Sequence, residues 1–199
     1  MKKRFNINDF IKWQYKLITI DFLINSYDLS KDAAKQILIK LKKEWIIIKI
    51  RKGVYIFKHI LNQINSHTMT MLLNPNSYIS LYTVLERKVI KQAHVRTFAL
   101  TNKMIKNNKE LIEHYRIELK QIKIPMTFWL KVQNWVRYAD TERALLDLIY
   151  LHVFNWYPIT SELYLKWNID EEKIKKYLEF YPKRVSNFYF NKLQEYAKQ

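Results

Sequence analysis

From Lys31 to Glu44 apolar residues recur at Ala34, Ile37, Leu38 and Leu41, with Trp45 one turn further on. This spacing predicts a helix with one buried stripe. Its opposite face carries Asp32, Lys35, Gln36, Ile39 and Lys43, and Ser30 stands in front as an N-cap. The period then changes. Residues 45–50 and 54–57 are β-branched and aromatic runs, joined by Arg51-Lys52-Gly53. They predict a hairpin in which Gly53, the one glycine of the chain, supplies a positive φ. Upstream, residues 5–26 predict two helices. Phe5, Phe10, Trp13, Tyr15 and Leu17 line one side of the first, and Thr19 or Asp21 caps a short second helix with Phe22, Leu23 and Ile24. Residues 26–29 form the turn after it. Helix, turn, basic helix, strand, basic glycine turn and strand make the order of a winged helix-turn-helix.

Beyond the hairpin, residues 58–75 read as helical until Asn74-Pro75-Asn76-Ser77 breaks the chain. That break and a shift in charge divide the chain into residues 1–60 and 61–199. The second part predicts a helix from Ser80 to Lys88 and strand-like runs at 95–101, 115–124 and 135–139, with a polar loop over 102–109. Asp140 or Thr141 opens a helix reaching Phe154, with Ala144, Leu145, Leu148 and Ile149 inward. Asn168 or Asp170 caps a further helix whose first turn holds Glu171 and Glu172, matching the helix dipole. Pro182 fits the first turn of a last one, with Val185, Phe188, Leu193 and Tyr196 on one side. The expected fold class is α+β: an N-terminal winged helix-turn-helix followed by a mixed α/β domain with C-terminal helices.

Charge adds a partner class. The net charge is +17, which favours an anionic partner. Residues 1–60 hold 14 Lys/Arg against 5 Asp/Glu, whereas residues 61–199 hold 21 against 13. The abundance of Lys, Ile, Asn, Tyr and Phe is that of an AT-rich genome and accounts for most of the total; the asymmetry is the part that bears on function. Double-stranded DNA is the expected ligand. Lys31, Lys35, Gln36 and Lys43 belong to the recognition helix, with Lys35, Gln36 and Lys43 turned to base edges. Lys42, Lys49, Arg51 and Lys52 reach phosphates at the helix end and the wing.

Other chemistry is sparse. A single glycine excludes phosphate-binding loops, dinucleotide fingerprints and nucleophile elbows as sequence motifs. There is no cysteine, and His59, His67, His94, His114 and His152 lack the close spacing of a helical metal pair. No catalytic set, metal or cofactor is expected. The basic N-terminus lacks the hydrophobic core of a signal peptide, and no apolar run approaches the 18 residues of a membrane span. The expected compartment is the cytoplasm, with no membrane partner. The densest polar cluster is Asp140-Thr141-Glu142-Arg143 with Asp147. It reads either as a cap plus a surface i,i+4 ion pair, or as a polar constellation at a helix start able to hold a ligand or partner. The many aromatics, Trp129, Trp135, Trp156 and Trp167 among them, suit core and interface packing more than base stacking.

Three segments together resemble the AbiEi family, antitoxins of type IV toxin–antitoxin and abortive-infection systems. Residues 45–55 are similar to that family's wing. Asn76-Ser77-Tyr78-Ile79-Ser80-Leu81-Tyr82-Thr83-Val84-Leu85 resembles its central Tyr-Ile-Ser-Leu segment. Residues 139–148 resemble its Ala-Thr-x-Glu-Lys-Ala-Leu-Leu-Asp helix start, with Arg143 in place of the usual Lys; Glu44 stands where members often have Gly. The resemblance implies two roles. The N-terminal unit represses its own operon by binding an inverted repeat in the promoter. The C-terminal domain counteracts a nucleotidyltransferase-like toxin, generally without a stable complex, and Tyr78, Ser80, Glu142, Arg143 and Asp147 are its candidate residues. Two rival readings stand beside it. One is an interaction module that binds a partner protein through the C-terminal half. The other is a nucleic-acid-acting enzyme using Asp140, Glu142 and Asp147.

Overall fold

The computed structural model describes residues 17–89, 96–103, 107–125, 129–159 and 169–193. The first helix expected upstream of Leu17 lies outside the described residues, as do His94, Trp167, Asn168 and Tyr196.

Helix α1 (Ile20–Tyr27) starts at Thr19, whose hydroxyl accepts from the Phe22 N–H at 3.0 Å. Asp28, at φ +52°, ends it. Two residues later Ser30 caps α2 (Lys31–Lys43) by accepting from the Ala33 N–H at 3.2 Å. Ala34, Leu38 and Leu41 are buried with Leu23 and Tyr27 of α1, so the expected stripe holds as far as Leu41. Trp45 departs from it and is 70% exposed. The Ile46 N–H bonds to the Leu41 carbonyl and the Trp45 N–H to the Lys42 carbonyl, while Trp45 itself takes φ +58°. This is a Schellman cap with tryptophan in the place usually held by glycine. Leaving the helix there swings the ring off the buried face.

Strands β1 (Ile47–Arg51) and β2 (Val54–Phe57) pair antiparallel, with Ile48 opposite Ile56 and a slip in register between Lys49 and Arg51. Gly53 sits in the turn at φ +73°. Ile18 and Tyr55 exchange both backbone hydrogen bonds at 2.9 Å, adding a bridge on the far side of β2. The continuous helix expected over 58–75 is instead a 3-10 stretch (Lys58–Gln63) and then α3 (Ser66–Leu73), capped afresh by the Asn65 side chain. Asparagine competes for backbone hydrogens and so divides the apolar run in two.

The hydrophobic core of this region does not end at residue 60. Met69, Leu72 and Leu73 of α3 belong to it, and so do Leu111 and Ile117 from further along the chain.

A five-stranded mixed sheet follows, in the order β5-β4-β3-β7-β6. Its strands are β3 (Ser77–Ile79), β4 (Thr97–Thr101), β5 (Ile117–Gln121), β6 (Leu130–Gln133) and β7 (Val136–Ala139). Strand β3 is antiparallel to β4 and parallel to β7. Side chains alternate across it. Ile79, Ala99 and Val136 pack with Met71 of α3, while Tyr78, Phe98 and Leu100 point to the other face. That second face is covered by α6 (Thr141–Asn155), with α7 (Glu171–Leu178) and α8 (Lys183–Phe188) packed on α6. Helix α4 (Tyr82–Val89) follows β3, and the short α5 (Lys109–His114) precedes β5. A π-helical turn, Tyr189–Leu193, follows α8.

The fold is therefore α+β with a mixed sheet. Strands β3 and β6 and helix α5 were not among the expected elements. Three-residue β3 is hidden behind a polar turn, and β6 is an edge strand whose Lys131, Val132 and Gln133 are exposed and show no useful alternation. Among the described residues, no helix is long and apolar enough to cross a membrane.

Candidate nucleic-acid interface

Helix α2 buries Ala34, Leu38 and Leu41 and packs Ile37 partly against the same core, which leaves its other face outward. Lys31, Lys35, Gln36, Ile39, Lys42 and Lys43 are all exposed, Ile39 by 60%. Lys35 donates to Asp32 at 2.9 Å, one turn earlier. That contact holds the Asp32 carboxyl below its usual range, chiefly through the hydrogen bond from Lys35. A pair this exposed adds little to stability, so Lys35 is free to exchange Asp32 for another anion.

The hairpin brings further cations alongside. Lys49 and Lys52 are exposed, with Lys52 next to Gly53 at the tip. Lys42, Lys49, Arg51 and Lys52 line one cleft of about 630 Å³ with Trp45, so the four cations assigned to phosphate from the sequence lie together. Arg51 differs from the lysines. It is half-buried, and its Nε donates to the Leu72 carbonyl of α3 at 3.1 Å. That bond braces the hairpin against the helix below it.

The opposite wall of the cleft comes from residues far along the chain. The Asn108 side chain donates to the Lys49 carbonyl at 2.8 Å, and its N–H donates to the Ile50 carbonyl at 3.2 Å. Asn107 pairs with Arg51 as an isolated bridge. This short segment covers the outer edge of β1 and fixes the hairpin relative to the sheet. Nothing in the sequence spacing linked Asn107 and Asn108 to the hairpin, because they read as part of a polar loop.

The second group of candidate residues converges in the core. Tyr78 and Ser80 lie two residues apart and so share one side of the chain leaving β3. Tyr78 Oη donates to Asp147 Oδ2 at 2.8 Å, and Ser80 Oγ to the same oxygen at 2.7 Å. Tyr181, between α7 and α8, donates to Oδ1 at 2.7 Å. Arg143 lies one turn before Asp147, with Nε 3.9 Å from Oδ2 and its guanidinium carbon 4.4 Å from the centre of the Tyr78 ring. A guanidinium nitrogen also donates to the Pro125 carbonyl at 3.4 Å. Arg143 and Asp147 are fully buried. The expectation of a surface ion pair is thus corrected: helix α6 lies between the sheet and α7–α8, and all of its first ten residues are buried.

Burial pushes the Asp147 carboxyl above its ordinary value, against the opposing pull of Arg143 and the three hydroxyl donors. Burial, and then the Asp147 charge, hold the Tyr78 and Tyr181 phenols far above theirs, so both remain hydrogen donors.

Glu142 does not join this network. Its carboxylate accepts from the Asp170 N–H at 3.3 Å and lies 3.8 Å from Lys173 Nζ, tying α6 to the start of α7. Asp140 is the helix cap: Oδ1 accepts from the Arg143 N–H and Oδ2 from the Tyr177 hydroxyl at 2.6 Å. The three carboxylates of the enzyme reading therefore serve three different structural contacts: a helix cap, a tie to the start of α7 and a buried ion pair. Among the described residues, no cluster of three or more His, Asp or Glu side chains has a metal-binding arrangement. No periodicity in the sequence joins Tyr181 to residues 143–147, so its place in the network follows only from the fold.

No protein-family model matches the chain, and no curated protein matches it in sequence. Among solved structures it is similar in fold to the RV2827C protein from Mycobacterium tuberculosis, at 10% identity and a TM-score of 0.52, over 90% of this chain and 71% of that one. At that identity the likeness concerns the fold alone.

Proposed function

We propose that this protein is a DNA-binding autorepressor and the antitoxin of a type IV toxin–antitoxin pair, acting in the cytoplasm. On this reading residues 1–60 are a winged helix-turn-helix, with α2 as recognition helix and β1–β2 as wing. The observation that carries the proposal is the outward face of α2 continuing into the cationic hairpin, with the apolar stripe buried behind it. Helix and hairpin supply what duplex recognition needs: a helix face to enter the major groove and lysines to anchor phosphates. Gln36, Lys35 and Lys43 are assigned to base edges, and Ile39 is suited to a thymine methyl. Lys42, Lys49 and Lys52 are assigned to phosphates. Arg51 is assigned to bracing the wing, because its Nε is already engaged by Leu72.

The C-terminal domain is the proposed antitoxin part, acting against a nucleotidyltransferase-like toxin without a required stable complex. This rests on the resemblance of residues 76–85 and 139–148 to the AbiEi family. Tyr78, Ser80, Arg143 and Asp147 form the buried polar core that joins the sheet to α6, and no chemical step is assigned to them. A reporter driven by the upstream DNA, combined with co-expression of a nucleotidyltransferase-like toxin encoded beside this gene, if one is present, tests both roles. The expected result for Lys49→Ala/Lys52→Ala is lost repression with protection from the toxin retained. Repression equal to that of the wild type would remove the wing from the account.

A further inference from the structure

The cleft between the hairpin and the 107–108 segment has a property that duplex binding does not use. Both polar atoms of the Asn107 side chain, Oδ1 and Nδ2, are shut away from solvent and have no hydrogen-bond partner among the described residues. Leaving a buried amide unmatched costs about 1–3 kcal/mol per group, and native structures keep few such groups. Asn107 is among the residues that line the cleft, and no hydrogen bond among the described residues fixes its amide, which turns outward from its buried position to meet a ligand there.

The rest of the lining is specific in character. Lys42, Lys49 and Lys52 supply positive charge, and Ile47, Ile48 and Ile50 supply apolar surface. Trp45 presents a ring that is 70% exposed, with Lys58 Nζ 5.3 Å from its centre. Cations, an aromatic platform and a paired donor and acceptor are the groups that bind a phosphate, a base face and a base edge respectively. The volume, about 630 Å³, lies within the usual range for small-ligand sites. Glu110 is the one carboxylate in the lining. It disfavours phosphate on its own side and can accept a hydrogen bond from a sugar hydroxyl.

We propose that this cleft is a nucleotide site, with phosphates held by Lys42, Lys49 and Lys52, the base against Trp45, and the Asn107 amide on the base edge. The site is distinct from duplex recognition by the α2 face, although it draws on three of the same lysines. A bound nucleotide therefore competes with DNA phosphates for the wing.

The test is calorimetric titration of the full chain, without DNA, by ATP, GTP, CTP, UTP and inorganic tripolyphosphate at one salt concentration. The proposal expects at least one nucleoside triphosphate to bind ten-fold or more tightly than tripolyphosphate. Asn107→Leu abolishes that margin and leaves tripolyphosphate binding unchanged. Asn107→Asp, which keeps the size and removes the donor, reduces the margin and guards against a folding artefact. Single-stranded tetranucleotides separate the two sources of such a ligand. Tighter binding of the strand assigns the site to a nucleotide within a strand, and tighter binding of the triphosphate to a free nucleotide. Equal affinity for tripolyphosphate and every nucleotide overturns the proposal, as does a margin that survives in both variants. Because no duplex is present, failure here leaves the DNA-binding reading to its own test.

Discussion

Tyr181 donates its phenolic hydrogen to Asp147 Oδ1 at 2.7 Å, from the segment between α7 and α8 to the second turn of α6. The bond closes a network in which a single buried carboxylate accepts three hydroxyls beside a buried arginine. Replacing Tyr181 by Phe keeps the ring and removes one donor to a charged acceptor, so unfolding titrations should register a loss of about 1–3 kcal/mol. Unaltered stability would mean that this bond does not hold the C-terminal helices.

Removing the carboxylate should do more. Asp147→Ala leaves Arg143 buried without its counter-charge and three hydroxyls without their acceptor, and breaking a buried pair in this way typically costs about 3–5 kcal/mol. The double change Arg143→Met/Asp147→Leu removes both charges and fills the space with apolar atoms. It should be less destabilising than Asp147→Ala alone. A double variant at least as unstable as the single one would mean that the buried guanidinium left behind is not what makes Asp147→Ala costly.

The same carboxyl makes a prediction about pH. Burial raises its folded value above the ordinary 3.8, with Arg143 and the hydroxyls acting the other way. A raised folded value means that the native state holds this proton more tightly than the unfolded chain does. The stability linked to Asp147 is therefore fully present below about pH 3.8 and is lost as the pH rises through the folded value. Carbon-detected NMR titration of the Asp147 carboxyl should give a midpoint above 3.8. A midpoint below it would mean that Arg143 and the hydroxyls outweigh burial.

Trp156 ends α6 in the left-handed conformation at φ +54° and is 90% exposed. Its N–H still closes the helix on the His152 carbonyl. Glycine adopts this conformation without the penalty that a Cβ carries, and little packing is lost from so exposed a ring. Trp156→Gly should therefore raise the thermal midpoint, with a gain of about 0.5–1 kcal/mol. A lower midpoint would mean that the ring makes contacts that matter to the fold.

The near-absence of glycine explains part of what the sequence hid. Trp45, Trp129, Trp135 and Trp156 all have positive φ. Each stands where glycine would ordinarily announce a turn or a helix end, so the turns were harder to see and Trp45 was expected inside. The α2 stripe, the hairpin around Gly53, and the caps at Ser30, Asp140 and Asp170 were legible, because each is set by residues within one or two turns of the chain. The docking of Asn107 and Asn108 on β1 and the reach of Tyr181 to Asp147 were not, because they join residues 59 and 34 positions apart with no local signature. The basic face was legible as charge. What the sequence lacked was the engagement of Arg51 by α3 and the wall that turns the hairpin's edge into a cleft.

The most direct test of the central claim is a gel-shift titration of the full chain on the duplex upstream of its gene, with scrambled competitor, at several salt concentrations, for the wild type, Lys52→Ala and Gln36→Ala. The expected result is binding that survives competitor, a salt slope shallower by about one counterion in Lys52→Ala, and an altered sequence preference in Gln36→Ala. Weak binding erased by salt and by scrambled DNA alike, with neither variant differing from the wild type, would contradict it.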